Sequence, residues 1–224
     1  KIDLERGLFV YEGKEYALRD TNFPTIDPND PYRLTEEEQE LVDKIHASFM
    51  NSEKLRKHMR CLFTYGGMYL VCNSNLLYHA SVPLNKDGSF KHVHIGGKEY
   101  WGRRLLEKND QLVRTAYFEE DGSKEKLFAL DYVWYMWCGP NAPSFDKDKM
   151  ATLERYFVAD DDLQKETKGY YYTLRNEAEV CDRILKEFGV EPGSHSHIIN
   201  GHVPVKILKG EEPIKADGKL LVID

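Results

Sequence analysis

Ile198-Ile199-Asn200-Gly201-His202-Val203-Pro204-Val205 is the stretch on which the reading of this chain turns. Its two β-branched residues make a short buried strand, Asn200-Gly201 ends that strand, and His202 is delivered where it runs out. Upstream, residues 176–188 read as a helix with a cap at Asn176, Glu179 three residues on, and an apolar face of Val180, Ile184, Leu185 and Phe188. Gly189 supplies the stop. A helix feeding a buried strand, with two further β runs after it, predicts a layered α/β domain with a site at one sheet edge.

A second strand end repeats the pattern. Leu76-Leu77-Tyr78-His79-Ala80-Ser81-Val82-Pro83 closes an apolar run with another histidine. An imidazole at a strand terminus beside a small residue leaves the core and faces a cleft, where a neutral ring nitrogen binds a cation. His79 and His202 are therefore candidate metal ligands. They make half a site, because two neutral imidazoles bring no negative charge and do not hold a divalent ion for chemistry alone.

Outward from these strands, Met68-Tyr69-Leu70-Val71-Cys72 joins Leu76-Leu77-Tyr78-His79 through Asn73-Ser74-Asn75, a polar trio that tolerates positive φ and closes an antiparallel pair. Its unbroken apolar character predicts burial on both faces. Residues 8–11 and 15–18 flank Glu12-Gly13-Lys14 as a short hairpin, and Pro24, Pro28 and Pro31 make an extended linker of residues 22–32. Thr35 with Glu38 offers a helix cap before Leu41, Val42, Ile45 and Phe49 on one face, and a second helix covers residues 53–63. Residues 90–100 form an outlying hairpin around Gly96-Gly97, a helix follows through Leu105, Leu106, Leu112 and Val113, and the aromatic block of residues 132–137 is read as core. The organisation expected is a hairpin and Pro-rich linker over 1–34 and the main α/β body over 35–224, together one structural unit.

The charge balance excludes some partners. Lys and Arg total 31 against 38 Asp and Glu, a formal charge of −7, which attracts neither nucleic acid nor anionic lipid. Lys54, Arg56, Lys57 and Arg60 are read as a solvated helix face. The four cysteines, with no Cys-x-x-Cys, fit reduced thiols in a cytoplasm. No apolar run reaches the roughly 20 residues of a membrane span. His92 and His94 share a hairpin face and are read as solvated, His195 and His197 as loop residues near the candidate site, and Asp160-Asp161-Asp162 as a turn.

Asn200-Gly201-His202-Val203-Pro204 resembles the last histidine motif of the calcineurin-like metallophosphoesterases, and Leu77-Tyr78-His79-Ala80-Ser81-Val82-Pro83 resembles an earlier ligand-histidine loop of that superfamily, in the same order. Leu130-Asp131-Tyr132-Val133-Trp134 is similar to a segment of its protein serine/threonine phosphatases. A narrower resemblance covers the whole chain. The stretch of residues 20–32, then Met68-Tyr69-Leu70-Val71, Trp134-Tyr135-Met136-Trp137-Cys138-Gly139-Pro140, Lys147-Asp148-Lys149-Met150-Ala151-Thr152 and residues 197–206 are similar to the class 3 fructose-1,6-bisphosphatases of bacteria.

That resemblance implies a manganese-dependent, cytoplasmic, gluconeogenic phosphatase with an α/β/β/α sandwich of mixed sheets flanked by helices, which releases the 1-phosphate of fructose 1,6-bisphosphate at a two-metal centre. It implies that His79 and His202 serve one of the two metals. Arg155 is the candidate to grip phosphate, because a guanidinium holds two of its oxygens, and Lys206 is the second candidate. Ala80 stands where the superfamily loop has glycine. The superfamily's Asp-x-His, Gly-Asp-x-x-Asp-Arg and Gly-Asn-His-Glu strings do not occur before His79, so the chain is expected to be the C-terminal half of the catalytic region, inactive and a weak metal binder by itself. The alternatives are a phosphoprotein phosphatase and a non-catalytic assembly module. Homo-oligomerisation stays open.

Overall fold

Glu12 and Gly13 both adopt positive φ, 47° and 78°, which is what a two-residue turn requires when it matches the twist of flanking strands. They join β2 (Leu8–Tyr11) to β3 (Lys14–Ala17), and β1 (Ile2–Asp3) completes a three-stranded antiparallel sheet. The Pro-rich linker then runs without strand or helix to α1 (Glu36–Met50). The Thr35 side chain accepts from the Glu38 amide while the Glu38 carboxylate accepts from the Thr35 amide, the reciprocal cap foreseen in the sequence. α2 (Glu53–Tyr65) follows, and Arg114 caps its C-terminal end by donating to the carbonyls of Phe63 and Gly66.

β4 (Tyr69–Cys72) and β5 (Asn75–Tyr78) pair antiparallel across Asn73 and Ser74, both at positive φ. β6 (Val93–Ile95) and β7 (Lys98–Tyr100) make the separate hairpin, and α3 (Gly102–Phe118) and α4 (Lys124–Cys138) pack against each other. Two short helices, α5 (Thr152–Phe157) and α6 (Tyr171–Leu174), precede α7 (Ala178–Glu187), and β8 (His197–Asn200), β9 (Ile214–Lys215) and β10 (Leu220–Val222) close the chain. α7 starts one turn-residue later than read from the sequence. Asn176 donates its amide to the Thr173 carbonyl instead of capping, and Glu177 occupies the cap position without a side-chain bond. Gly189, at φ 77°, ends the helix as expected.

This computed structural model describes residues 1–224. Its contacts group the chain into two compact units, residues 1–62 with 151–166 and residues 63–150 with 167–224. Residues 151–166 fall in the first unit because they return to the N-terminal hairpin. Val158 bridges Leu18, and Phe9, Val158 and Leu163 are buried together. Local patterns give no sign of such a return.

In the second unit the sheet runs β4-β5-β8-β10-β9, with β5, β8 and β10 parallel and the two edge strands antiparallel. The α/β class with mixed strands and flanking helices therefore holds. One face is closed: Leu76, Tyr78, Ile198, Leu220 and Val222 are buried against Val180, Ile184, Leu185 and Phe188 of α7 and Leu106 of α3. The other face carries Leu70, Leu77, Ile199, Leu221 and Ile214 in a single register row across all five strands. Leu70 and Ile214 at its ends are 58% and 57% exposed. Burial of β4 on both faces, expected from its apolar run, is not observed.

Two helix faces also differ from expectation. Leu41, Val42, Ile45 and Phe49 of α1 are all exposed, so the stripe is real but uncovered. On α4, Ala129, Tyr132 and Met136 enter the core as the aromatic block suggested, whereas Trp134 and Trp137 remain on the surface.

Candidate functional site

Parallel pairing of β5 with β8 brings their C-terminal ends side by side, the edge at which open α/β sheets present their ligand sites. Leu77 is opposite Ile199, so the residues that follow, His79 and the Asn200-Gly201-His202 turn, emerge together. The Gly201 amide donates to the His79 carbonyl at 2.9 Å and ties the two loops directly. Beneath them, the Asn200 side-chain amide donates to the Ala80 carbonyl at 2.7 Å and to the Tyr171 hydroxyl at 2.8 Å, which lies 2.8 Å from the Tyr78 hydroxyl. Asn200 and Tyr171 are 1% and 0% exposed. A buried, connected polar network of this kind fixes geometry, because each member left unpaired costs about 1–3 kcal/mol.

On that support the two rings meet. His79 Nε2 lies 3.0 Å from His202 Nδ1, with ring centroids 4.8 Å apart. His202 holds φ at 71°, an uncommon left-handed backbone for a residue with a side chain, and such strain collects at functional sites. Burial first, and then the charges of Lys147 and Lys168 with Asp224 opposing, push the His202 imidazole below its ordinary pKa. The ring is thus kept neutral, the form that donates a lone pair to a metal.

The two facing nitrogens fit one side of a single coordination sphere. They do not fit a dinuclear centre: no group of three or more His, Cys, Asp or Glu side chains is arranged to hold a metal ion, and bridging two cations requires carboxylate or other anionic oxygens. His92 and His94 are both engaged by Glu99, at 3.1 and 3.0 Å, in keeping with a hairpin-surface role. His197 is the first residue of β8, at the opposite end of the strand from His202, and its Nδ1 lies 2.9 Å from the Gly218 carbonyl.

The two phosphate-gripping candidates fall in different units. Arg155 belongs to the first unit, where its guanidinium meets the Glu166 carboxylate at 3.1 Å while Glu166 also accepts from the Ala151 amide. Lys206 lies in the second unit with the histidines, its backbone amide donating to Glu211.

Cations that the sequence reading passed over surround Tyr172. Lys168 Nζ is 5.3 Å from the ring centroid and Arg175 Cζ is 5.2 Å from it. Arg175 is 4% exposed, and its Nε and Nη1 are buried with no hydrogen-bond partner. Lys147 bridges Lys168 through the backbone. The one signal in the sequence was an arginine close behind three consecutive tyrosines, Tyr170 to Tyr172, which offer planar faces for a guanidinium.

Asp146 is also buried, 3% exposed, with Oδ2 unpaired. Burial drives its carboxyl up to about 6, with the Ser81 hydroxyl and Lys91 opposing. A carboxyl whose folded pKa exceeds the unfolded value of about 3.9 stabilises the fold below that value and loses the contribution as pH rises through 6. Unfolding free energy from denaturant titrations is expected to fall by up to about 3 kcal/mol from this group between pH 4 and 7. Asp146→Asn should remove that slope; a variant as pH-sensitive as the parent would contradict it.

Comparison with known proteins gives the family of the chain. The family model described as Firmicute fructose-1,6-bisphosphatase matches residues 1–224. Proteins named fructose-1,6-bisphosphatase class 3 from Bacteroides fragilis, Bacteroides thetaiotaomicron and Clostridium botulinum are 80%, 77% and 57% identical over the whole of this chain. In each case the chain spans 34% of the relative, about a third of its length. No solved structure matches. No helix is long and apolar enough to cross a membrane. A match that runs through the hairpin, the linker and both histidine loops without interruption leaves no part of the sequence outside it, and the chain belongs to the Firmicute fructose-1,6-bisphosphatase family.

Proposed function

We propose that this chain is part of a class 3 fructose-1,6-bisphosphatase, which hydrolyses fructose 1,6-bisphosphate to fructose 6-phosphate and phosphate in gluconeogenesis, in the cytoplasm. The observation that carries the reading is the meeting of His79 and His202 at 3.0 Å on adjacent strand ends, within a sequence whose relatives carry that name. Manganese is the cation we assign to this place in the complete enzyme, and metallophosphoesterase its superfamily. The anionic ligands of a two-metal centre then come from polypeptide that the longer relatives have and this chain does not.

The open sheet face supports the same division. Leu70, Leu77, Ile199, Leu221 and Ile214 form an apolar row suited to a second sheet packed face to face, as an α/β/β/α sandwich requires. A phosphoprotein phosphatase gains no support from the relatives named above.

The test compares two proteins under the same conditions. With manganese and fructose 1,6-bisphosphate, the full-length enzyme releases phosphate and leaves a phosphopeptide intact, whereas the 224-residue chain releases none above the uncatalysed background. Manganese-dependent turnover by the chain alone would show that its own residues complete the centre and would overturn the division. Phosphopeptide hydrolysis in preference to the sugar bisphosphate would overturn the substrate.

A further inference from the structure

Positive charge gathers around Tyr172, with Lys168 and Arg175 both over its ring. Lys168 meets the charges of Arg175, Lys206 and Lys147, and Glu211 opposes them. Glu211 is already committed, its carboxylate accepting from Lys215 Nζ at 3.0 Å and from the Lys206 amide at 3.1 Å. Asp146 acts on Tyr172 as well, its carboxyl raised to about 6 by burial and opposed by the Ser81 hydroxyl and Lys91. Lys168 is accordingly pushed below its ordinary pKa, by burial first and by Arg175, Lys206 and Lys147 after it. Like charges gathered in this way, with guanidinium N–H groups sealed from water and unbonded, describe a place prepared for an anion.

Location and shape narrow the anion. Arg175 lies over the Tyr171 ring, whose hydroxyl accepts from Asn200, two residues before His202, so the cluster borders the histidine pair. Arg175 is fixed by the faces of Tyr171 and Tyr172, with Cζ 5.9 and 5.2 Å from their centroids, and its backbone carbonyl accepts from the Cys181 thiol. A planar fork held rigid and short of acceptors matches two oxygens of a phosphate group. Lys168 and Lys206 are exposed, so the cluster has an open side through which a charged ligand enters.

We infer that Arg175, Lys168 and Lys206 form a phosphate-ester subsite beside the His79–His202 pair, with Arg175 as the two-pronged grip. The identity of the ester, a phosphate of fructose 1,6-bisphosphate, rests on the function proposed above; the phosphate chemistry of the subsite does not.

The experiment titrates the 224-residue chain with inorganic phosphate, followed by calorimetry and by the NMR signals of the Lys168–Arg175 segment. Phosphate is expected to bind at one site and to weaken with salt, and Arg175→Lys, which keeps the charge but loses the fork, is expected to lower affinity at least tenfold. Because Arg175 is buried, Lys168→Gln and Lys206→Gln at exposed positions serve as second variants, each expected to weaken binding several-fold with an unchanged melting temperature. No phosphate binding, or equal binding by all three variants, would overturn the subsite. In the full-length enzyme Arg175→Lys should raise KM for the sugar bisphosphate more than it lowers kcat. Phosphate binding that follows these variants, in a full-length enzyme that ignores fructose 1,6-bisphosphate, would sustain the subsite and overturn the substrate.

Discussion

His202→Ala in the full-length enzyme is expected to lower manganese-dependent hydrolysis of fructose 1,6-bisphosphate by at least about 100-fold, the scale reached by disturbing even the partners of a metal ligand. The expectation follows from the ring's position, 3.0 Å from His79 and anchored through a turn that is itself bonded to the His79 carbonyl. His79→Ala should cost a similar factor. The double variant should lose little more than either single one, because the two are proposed as ligands of one cation, and such ligands act as a unit whose effects do not add. Manganese content measured alongside kcat separates a lost ligand from a lost fold: metal should fall with activity while the melting temperature stays close to that of the parent. Turnover within tenfold of the parent in either single variant would remove the pair from the metal centre.

The second large effect concerns a position with no reactive group. A Cβ on Gly169 would sit 2.2 to 2.4 Å from the carboxyl atoms of Asp146, well inside contact distance, and Asp146 is itself 3% exposed with φ at 46°. The Gly169 amide also donates to the Asp146 carbonyl at 2.8 Å, so the segment has no room to withdraw without breaking a bond. Gly169→Ala is expected to destabilise the chain by about 3 kcal/mol, at the upper end of overpacking costs. For a chain of this size that corresponds to a fall of roughly 6–12 °C in melting temperature. Asp146→Ala should restore part of the loss in the double variant, because it removes the atoms with which the new methyl collides. A Gly169→Ala protein that melts with the parent would mean that Asp146 moves aside freely. The buried carboxyl would then be less confined than its surroundings imply.

Much of the second unit was legible because its signals are local. Alternation and polar turns marked β4, β5, β6 and β7, and the face of Val180, Ile184, Leu185 and Phe188 marked α7 and its burial. The site was legible in part. Histidines at two strand ends are visible from sequence, whereas nothing local distinguishes Arg155, whose guanidinium meets Glu166, from Arg175, whose Nε and Nη1 are buried without an acceptor. Asp146 and Lys168 were missed for the same reason. Their properties come from what is packed around them, and most of those neighbours, Arg175 apart, lie tens of residues away.

The exposed stripe on α1 makes the same point from the other side. Thr35 and Glu38 form the cap, and Leu41, Val42, Ile45 and Phe49 keep the helical period, yet no residue of this chain covers them. Periodicity states which face avoids water and is silent about what meets it. The row of Leu70, Leu77, Ile199, Leu221 and Ile214 is silent in the same way.

By itself the sequence determined the elements, their apolar faces and the chemistry available at two strand ends, since these depend on residues within a few positions of one another. Tertiary structure alone decided that β5 and β8 lie parallel and adjacent, so that His79 and His202 face each other across 123 residues of chain. It alone brought Lys168 and Arg175 onto the Tyr172 ring. Both outcomes belong to long-range packing, where the field at a group is set by atoms brought near it in space, whatever their distance along the chain.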